Sequence, residues 1–156
     1  MDAAEADRID SFVHHLKYER RLSPETCKHY RRDLLALQAW CDESDLVQWS
    51  DLDSEHLRSY SAACFRRGLA PRTIQRRLSA ARTFFRYLLR EKHVRRNPAQ
   101  SVSAPRGGKR LPENLDADRM ARLLEIPGDT PLVNRDRAIL ELLYSSGLRL
   151  AELADL

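Results

Sequence analysis

Apolar residues recur along most of this chain at the spacing of one helix face. The first segment shows the pattern at separations of three, four and seven residues, which predicts a helix over about 4–20. No segment shows the strict apolar–polar alternation that is typical of a half-buried strand. The pattern therefore predicts an all-α fold. The inward positions of the first helix are Ile9, Phe12, Val13 and Leu16.

Three further helices are predicted before residue 95. Ser23, a side-chain cap directly before a proline, starts the second, which runs to about 42. Asp53 or Ser54 can cap the third, which ends at Gly68, and Pro71 opens a fourth that reaches about 93. Four helices with short loops can enclose one core, so residues 1–95 are predicted to form a helical bundle. The inward positions are Cys27, Tyr30, Leu34, Leu37, Cys41, Leu57, Tyr60, Cys64, Ile74, Leu78, Ala81, Phe85 and Leu88.

Composition changes after the fourth helix. Residues 96–112 hold three prolines and two glycines without an apolar period, which predicts a linker. Helical patterning resumes in 113–156, where Asp116 can cap one helix and a leucine-rich helix over about 131–146 ends at Gly147. A region this short, with a nearly all-apolar helix, cannot easily bury its own surface. We therefore expect it to be the first part of a truncated, larger domain.

Basic residues are concentrated in one part of the chain. Residues 58–96 contain twelve Lys and Arg against a single acid, Glu91, whereas residues 1–57 contain seven against thirteen acids. A solvated helix surface usually pairs its cations with nearby acids, so this shortage of acids indicates a polyanionic partner, with nucleic acid the leading candidate. Acidic lipid is the main competitor, but the regular apolar stripe of the fourth helix is typical of a protein core.

The fourth helix separates into an apolar stripe and a polar face that suits DNA. One helix fits the major groove, where arginine pairs with guanine and glutamine with adenine, while the N–H groups of a first helical turn favour phosphate. The second helix offers a similar but weaker basic set. The predicted DNA-binding residues are Lys28, His29, Arg32, Arg72, Thr73, Gln75, Arg76 and Arg82.

Other chemistry is not indicated by the sequence. The three cysteines are odd in number and lack CxxC or Cys/His ligand spacing, so we expect small buried side chains, no metal site and a reducing compartment. No apolar run has the length of a membrane span, and no signal peptide is evident. We expect a cytoplasmic protein without a cofactor.

The most specific motif lies near the end of the chain. Residues 147–153, Gly-Leu-Arg-Leu-Ala-Glu-Leu, resemble the GLRxxEL arginine box of tyrosine site-specific recombinases. Taken in order, the other matching stretches make the chain resemble a Xer-type tyrosine recombinase over nearly its whole length. These stretches are residues 22–26, 30–34, 70–80, 84–88, 97–99, 104–106, 109–112 and 135–144.

The resemblance implies a SAM-like core-binding domain followed by a mixed α/β catalytic domain. The core-binding domain would hold a double-stranded recombination half-site with its second and fourth helices. The catalytic domain would break and rejoin DNA through a 3′-phosphotyrosine in chromosome dimer resolution. Arg149 would be the first catalytic arginine, whose guanidinium binds two phosphate oxygens. A second recombinase of the same type is the expected protein partner. The remaining catalytic groups would follow residue 156, so the chain itself is expected to bind DNA without cleaving it.

Two alternatives stay open at this point. The chain could be a naturally short DNA-binding or architectural protein, or a helical protein-interaction module whose basic face is incidental. The salt dependence of DNA binding separates them, because affinity that rests on phosphate contacts falls steeply as salt rises.

Overall fold

In the computed structural model, residues 3–107 and 114–156 are described, and the chain divides into two compact units, 1–108 and 109–156. Every regular element of the described residues is helical, as predicted. A 3₁₀ turn at Trp49–Asp51 lies between the second and third helices. The helices are α1 (Ala3–Tyr18), α2 (Pro24–Glu43), α3 (Ser54–Arg66), α4 (Pro71–Arg90), α5 (Ala117–Leu124), α6 (Pro131–Ser146) and α7 (Leu150–Ala154).

The helices begin at the caps that the sequence predicts. The Ser23 hydroxyl accepts the N–H of Thr26 at 3.2 Å, and the Asp53 carboxylate, rather than Ser54, accepts the N–H of His56 at 2.9 Å. Helix α4 ends at Arg90, three residues earlier than predicted, because Lys92 adopts a left-handed φ of 62° that reverses the chain. Local side-chain chemistry therefore sets most of the helix starts.

Helix α4 is the central element of the first unit, where it packs on α1, α2 and α3. The Phe84 ring is fully buried, with its centroid 5.3 Å from that of Phe12 and 5.0 Å from that of Trp49. Trp49 was not among the predicted core residues, since it lies outside every periodic segment; its indole N–H donates to the carbonyl of Glu5 at 2.8 Å. All the predicted inward positions of α2, α3 and α4 are buried except Tyr30, which is half-buried.

The first part of the predicted linker is packed against the bundle. Ala99 and Val102 are buried in its core, and the Asn97 amide donates to the carbonyl of Arg82 at 3.0 Å. At the far end, a Cβ on Gly107 would lie 3.0 Å from the Cβ of Pro71, the first residue of α4. Residues 97–107, here called the strap, thus run back along α4. Periodicity missed this packing because the strap's small apolar residues follow no helical spacing. Predicted linker residues 108–113 lie outside the described residues.

The three cysteines are free and buried, in line with the interpretation as small core side chains. Burial, with a smaller contribution from the neighbouring charge of Asp42, raises the pKa of Cys41 to about 12. Its thiol therefore stays neutral at physiological pH and behaves as an apolar group.

The second unit, residues 114–156 of the described chain, has helices without a buried core. None of the residues of α5, α6 or α7 is buried, and the exposed fraction reaches 63% at Leu132 and 76% at Leu150. Gly147 ends α6 in the left-handed conformation with φ 65°, as predicted. In neither unit is a described helix both long and apolar enough to cross a membrane.

Candidate nucleic-acid interface

Helix α4 presents a polar face that starts in its first turn. Pro71 opens the helix, and Ile74 and Leu78 anchor it in the core by their complete burial. That anchoring turns Arg72 and Gln75 outward, where both are exposed and neither side chain forms a hydrogen bond or ion pair with the described residues. Their donors are therefore available to an external partner.

The packing of α2 against α4 leaves a concave surface, which we call the α2–α4 groove. Its volume is about 210 Å³. A second concave surface adjoins it around the start of α4, and the two share Arg76 and Ser79. The groove is lined by Thr26, His29, Tyr30, Asp33, Arg76, Ser79 and Ala80, and the second surface by Ala70, Arg72, Thr73, Gln75, Arg76 and Ser79.

The structure thus brings together five of the residues that the sequence singled out. His29 from α2 faces the same groove as Arg76, and Arg76 joins that groove to the surface that holds Arg72, Thr73 and Gln75. Arg76 is the residue that both surfaces share among the predicted contacts, so it lies at the centre of the candidate interface.

Asp33 is a groove residue that the sequence reasoning missed. Its side chain is only 2% exposed and pairs with the guanidinium of Arg76, whose side chain is 39% exposed. Arg32 lies on the other side, with its Nε 4.0 Å from the Asp33 carboxylate. A signal was available, because position 33 falls between Tyr30 and Leu37 at helical spacing and so lies on the inward stripe.

Two of the predicted DNA contacts on α2, Lys28 and His29, lie close to an acidic residue of the same helix, Glu25. The Lys28 ammonium is 3.4 Å from the Glu25 carboxylate, and the His29 Nε2 is 3.8 Å from the same group. All three side chains are exposed. This neighbouring charge lowers the local positive potential, in keeping with the weaker role expected for the second helix.

Arg82, which the sequence predicts to contact DNA, is hydrogen-bonded to the strap. Its Nε donates to the carbonyl of Ala99 at 3.2 Å, and one terminal nitrogen donates to the carbonyl of Val102 at 3.1 Å. The helical wheel turns position 82 away from the core stripe, but it could not reveal that the strap returns over this side of α4. We therefore leave Arg82 out of the interface proposed below.

A third concave surface extends the candidate interface towards α1. It has a volume of about 600 Å³ and shares Thr26 and Tyr30 with the α2–α4 groove. Arg20, Arg86 and Arg90 also line it. Arg20 was not singled out from the sequence because it lies in the acidic first third of the chain, and its position beside α4 follows only from the packing of α1.

Arg149 lies in the second unit, at the N-cap of α7. Its backbone N–H donates to the Glu152 carboxylate at 2.8 Å, and its guanidinium donates to the same carboxylate at 2.9 Å. The Arg149 side chain is 84% exposed. Glu152 therefore both caps the short helix and holds the arginine. Within residues 3–107 and 114–156, no group of three or more His, Cys, Asp or Glu residues could hold a metal ion.

Comparison with known families identifies the family of this helical bundle. Residues 9–92 match the family described as phage integrase, N-terminal SAM-like domain. The chain belongs to this family. It is also 48% identical over 149 residues to the tyrosine recombinase XerC of Pseudomonas syringae pv. syringae (strain B728a), covering 95% of this chain and 50% of that protein. The XerC of Xanthomonas campestris pv. campestris (strain B100) is 47% identical over 148 residues, with coverage of 95% and 46%.

A solved structure shares the fold. The integrase from mycobacterium phage Brujita superposes with a TM-score of 0.59 at 21% identity, covering 96% of this chain and 48% of the integrase. The chain spans about half the length of the curated relatives it matches. The prediction of a SAM-like domain in the first unit is confirmed, and the similarity to XerC recombinases extends over 95% of the chain.

Proposed function

We propose that the first unit binds duplex DNA at a recombination half-site, with α4 in the major groove and α2 beside it. The observation that carries the proposal is the continuous concave surface on which Arg72, Gln75 and Arg76 lie together, next to His29. The side chains of Arg72 and Gln75 have no partner among the described residues, so neither must break an internal contact to bind DNA.

The proposed contacts divide by chemistry. Arg72 and Thr73, in the first turn of α4, suit phosphate oxygens through their guanidinium and hydroxyl groups. Gln75 and Arg76 suit base edges, where each good bidentate contact contributes about 1–3 kcal/mol of discrimination. The exposed Lys28 and Arg32 on α2 would contact the flanking backbone.

The role of the whole protein is the second part of the proposal. We infer DNA cleavage and rejoining through a phosphotyrosine, with Arg149 stabilising the charge on the scissile phosphate and Glu152 holding that arginine. The similarity to the XerC recombinases supports a second recombinase as partner, a role in chromosome dimer resolution and a cytoplasmic location.

The salt dependence of DNA binding tests the proposal. We expect the affinity for duplex DNA to fall steeply as the salt concentration rises. Arg72→Ala should weaken binding uniformly across sequences and should reduce the slope of log affinity against log salt concentration by about one. Gel shifts at several salt concentrations measure both. Arg58→Ala is the matched control, since Arg58 is on α3 and pairs with Glu55. Absent binding, or binding that ignores salt, would favour the protein-interaction module instead.

A further inference from the structure

The α2–α4 groove contains a buried carboxylate on a surface that is proposed to hold a polyanion. Among the ion pairs of the described residues, Asp33 is the most buried acid, with 2% of its side chain exposed, and its partner is the central arginine of the interface. The Arg31–Asp10 and Arg67–Glu43 pairs, by contrast, have at least 49% of every side chain exposed. Asp33 therefore differs from the surface pairs of this bundle.

Stability alone does not account for a carboxylate at this position. Removing an acid from water is costly, and a pair of this kind contributes little to stability compared with an apolar side chain of similar volume. Position 33 lies between Tyr30 and Leu37 on the inward stripe, where such an apolar residue would pack. The carboxylate also repels DNA phosphate. Both costs are accounted for if Asp33 orients the Arg76 guanidinium for binding.

We propose that Asp33 is a positioning residue that holds Arg76 for a guanine edge and keeps it from a phosphate. This inference rests on the DNA-binding function proposed above. A guanidinium has five donors in a rigid fork, so Arg76 can donate to Asp33 from one nitrogen and still present others to the groove. The nearby negative charge disfavours a phosphate at Arg76 but leaves the neutral guanine acceptors O6 and N7 acceptable.

The proposal predicts what loss of the carboxylate would do. With Asp33→Asn, Arg76 would keep at most a neutral, weaker hydrogen bond to position 33 and could turn to a phosphate. Affinity for the preferred sequence would fall, whereas affinity for unrelated DNA would stay the same or rise. Specificity and affinity would thus separate, which a purely structural role of Asp33 would not produce.

The experiment starts with a preferred duplex, selected by the unmodified chain from a random-sequence pool. Binding to this duplex and to a scrambled duplex is measured for the unmodified chain, Asp33→Asn, Arg76→Ala and the double variant. We expect each single variant to lower the ratio of the two affinities by about tenfold, and the double variant to lower it no further, since one base contact is lost each time. Glu43→Gln, which breaks the exposed pair with Arg67, should leave the ratio unchanged.

Single replacements of guanine by 7-deazaguanine in the selected duplex identify the contact. Removal of N7 at one position should weaken binding of the unmodified chain, and the same replacement should have no effect on Arg76→Ala or Asp33→Asn. Thermal unfolding is measured for every variant. If Asp33→Asn does not fold, Arg76→Met serves instead, because methionine has a long side chain without any N–H donor. This variant should lose the N7 sensitivity and retain binding to scrambled DNA.

Three outcomes would overturn the inference while DNA binding stands. These are an equal loss on both duplexes for folded Asp33→Asn, N7 sensitivity that persists in Arg76→Met, and binding without any preferred sequence in the pool. Failure to bind either duplex would instead overturn the proposed function itself.

Discussion

The two units are built from similar helices but differ in what those helices bury. Both use side-chain caps, such as Asp53 at 2.9 Å from the N–H of His56 in the first unit and Asp116 at 2.7 Å from that of Arg119 in the second. Yet the first unit encloses a continuous core, whereas none of the residues in the helices of the second is buried. Good helix signals are therefore not enough to make a folded unit.

The difference follows from where the apolar residues lie on each helix. In α4 they form one stripe, and the three helices around it cover that stripe completely. In α6 they include the neighbours Ile139, Leu140, Leu142 and Leu143, which point to different sides of the helix. A helix that is apolar on several sides needs neighbours on several sides, and α5 and α7 are too short to supply them.

The largest expected effect separates the two units as fragments. A fragment of residues 1–107 should unfold cooperatively, because it contains the entire core and the strap. A fragment of residues 114–156 should show no cooperative transition, since isolated helices of its lengths are marginal in water. Circular dichroism during heating measures both. A sharp transition for the second fragment would show that its helices form a core of their own despite the exposed leucines.

The next effect compares a buried and an exposed apolar side chain. Phe84→Ala should lower the free energy of unfolding by about 3–5 kcal/mol, because Phe84 is fully buried against Phe12 and Trp49. Leu132→Ala, at a residue that is 63% exposed in α6, should change it by less than about 0.5 kcal/mol. Urea titration followed by tryptophan fluorescence gives both values. Similar losses for the two variants would remove the contrast between the units.

A smaller effect concerns the strap, which extends the first unit beyond its four helices. Arg82→Ala should lower the free energy of unfolding by about 1–2 kcal/mol, since it removes two hydrogen bonds from a charged group to the strap carbonyls. Hydrogen exchange should become faster at the amides of Ala99 and Val102. Arg86→Ala, at an exposed residue one turn further on, is the control for unfolding and hydrogen exchange, though not for DNA binding, because Arg86 borders the third concave surface. Weaker DNA binding with unchanged exchange at the strap would return Arg82 to the interface.

Sequence patterns predicted the parts of this molecule that depend on local chemistry. Helix starts, the stripe of α4 and the outward direction of Arg72 and Gln75 all follow from spacing and capping within one segment. What the patterns missed depends on contacts between segments that are distant in sequence. Arg82 is reached by the strap 17 and 20 residues later, and Asp33 is paired with Arg76 across 43 residues. Helical periodicity contains no information on such returns of the chain.

The smallest effect applies one substitution to both units. Gly68 and Gly147 both follow a helix with positive φ, 79° and 65°, and in both a Cβ would meet nothing within 4 Å. The cost of alanine is therefore backbone strain alone, about 1 kcal/mol. Gly68→Ala should lower the free energy of unfolding of the cooperative transition by that amount, because the turn it ends joins α3 to α4. Gly147→Ala should leave the same transition unchanged, since Gly147 lies in the second unit, whose helices bury none of their residues. Equal shifts, measured by urea titration, would mean that the two units unfold together.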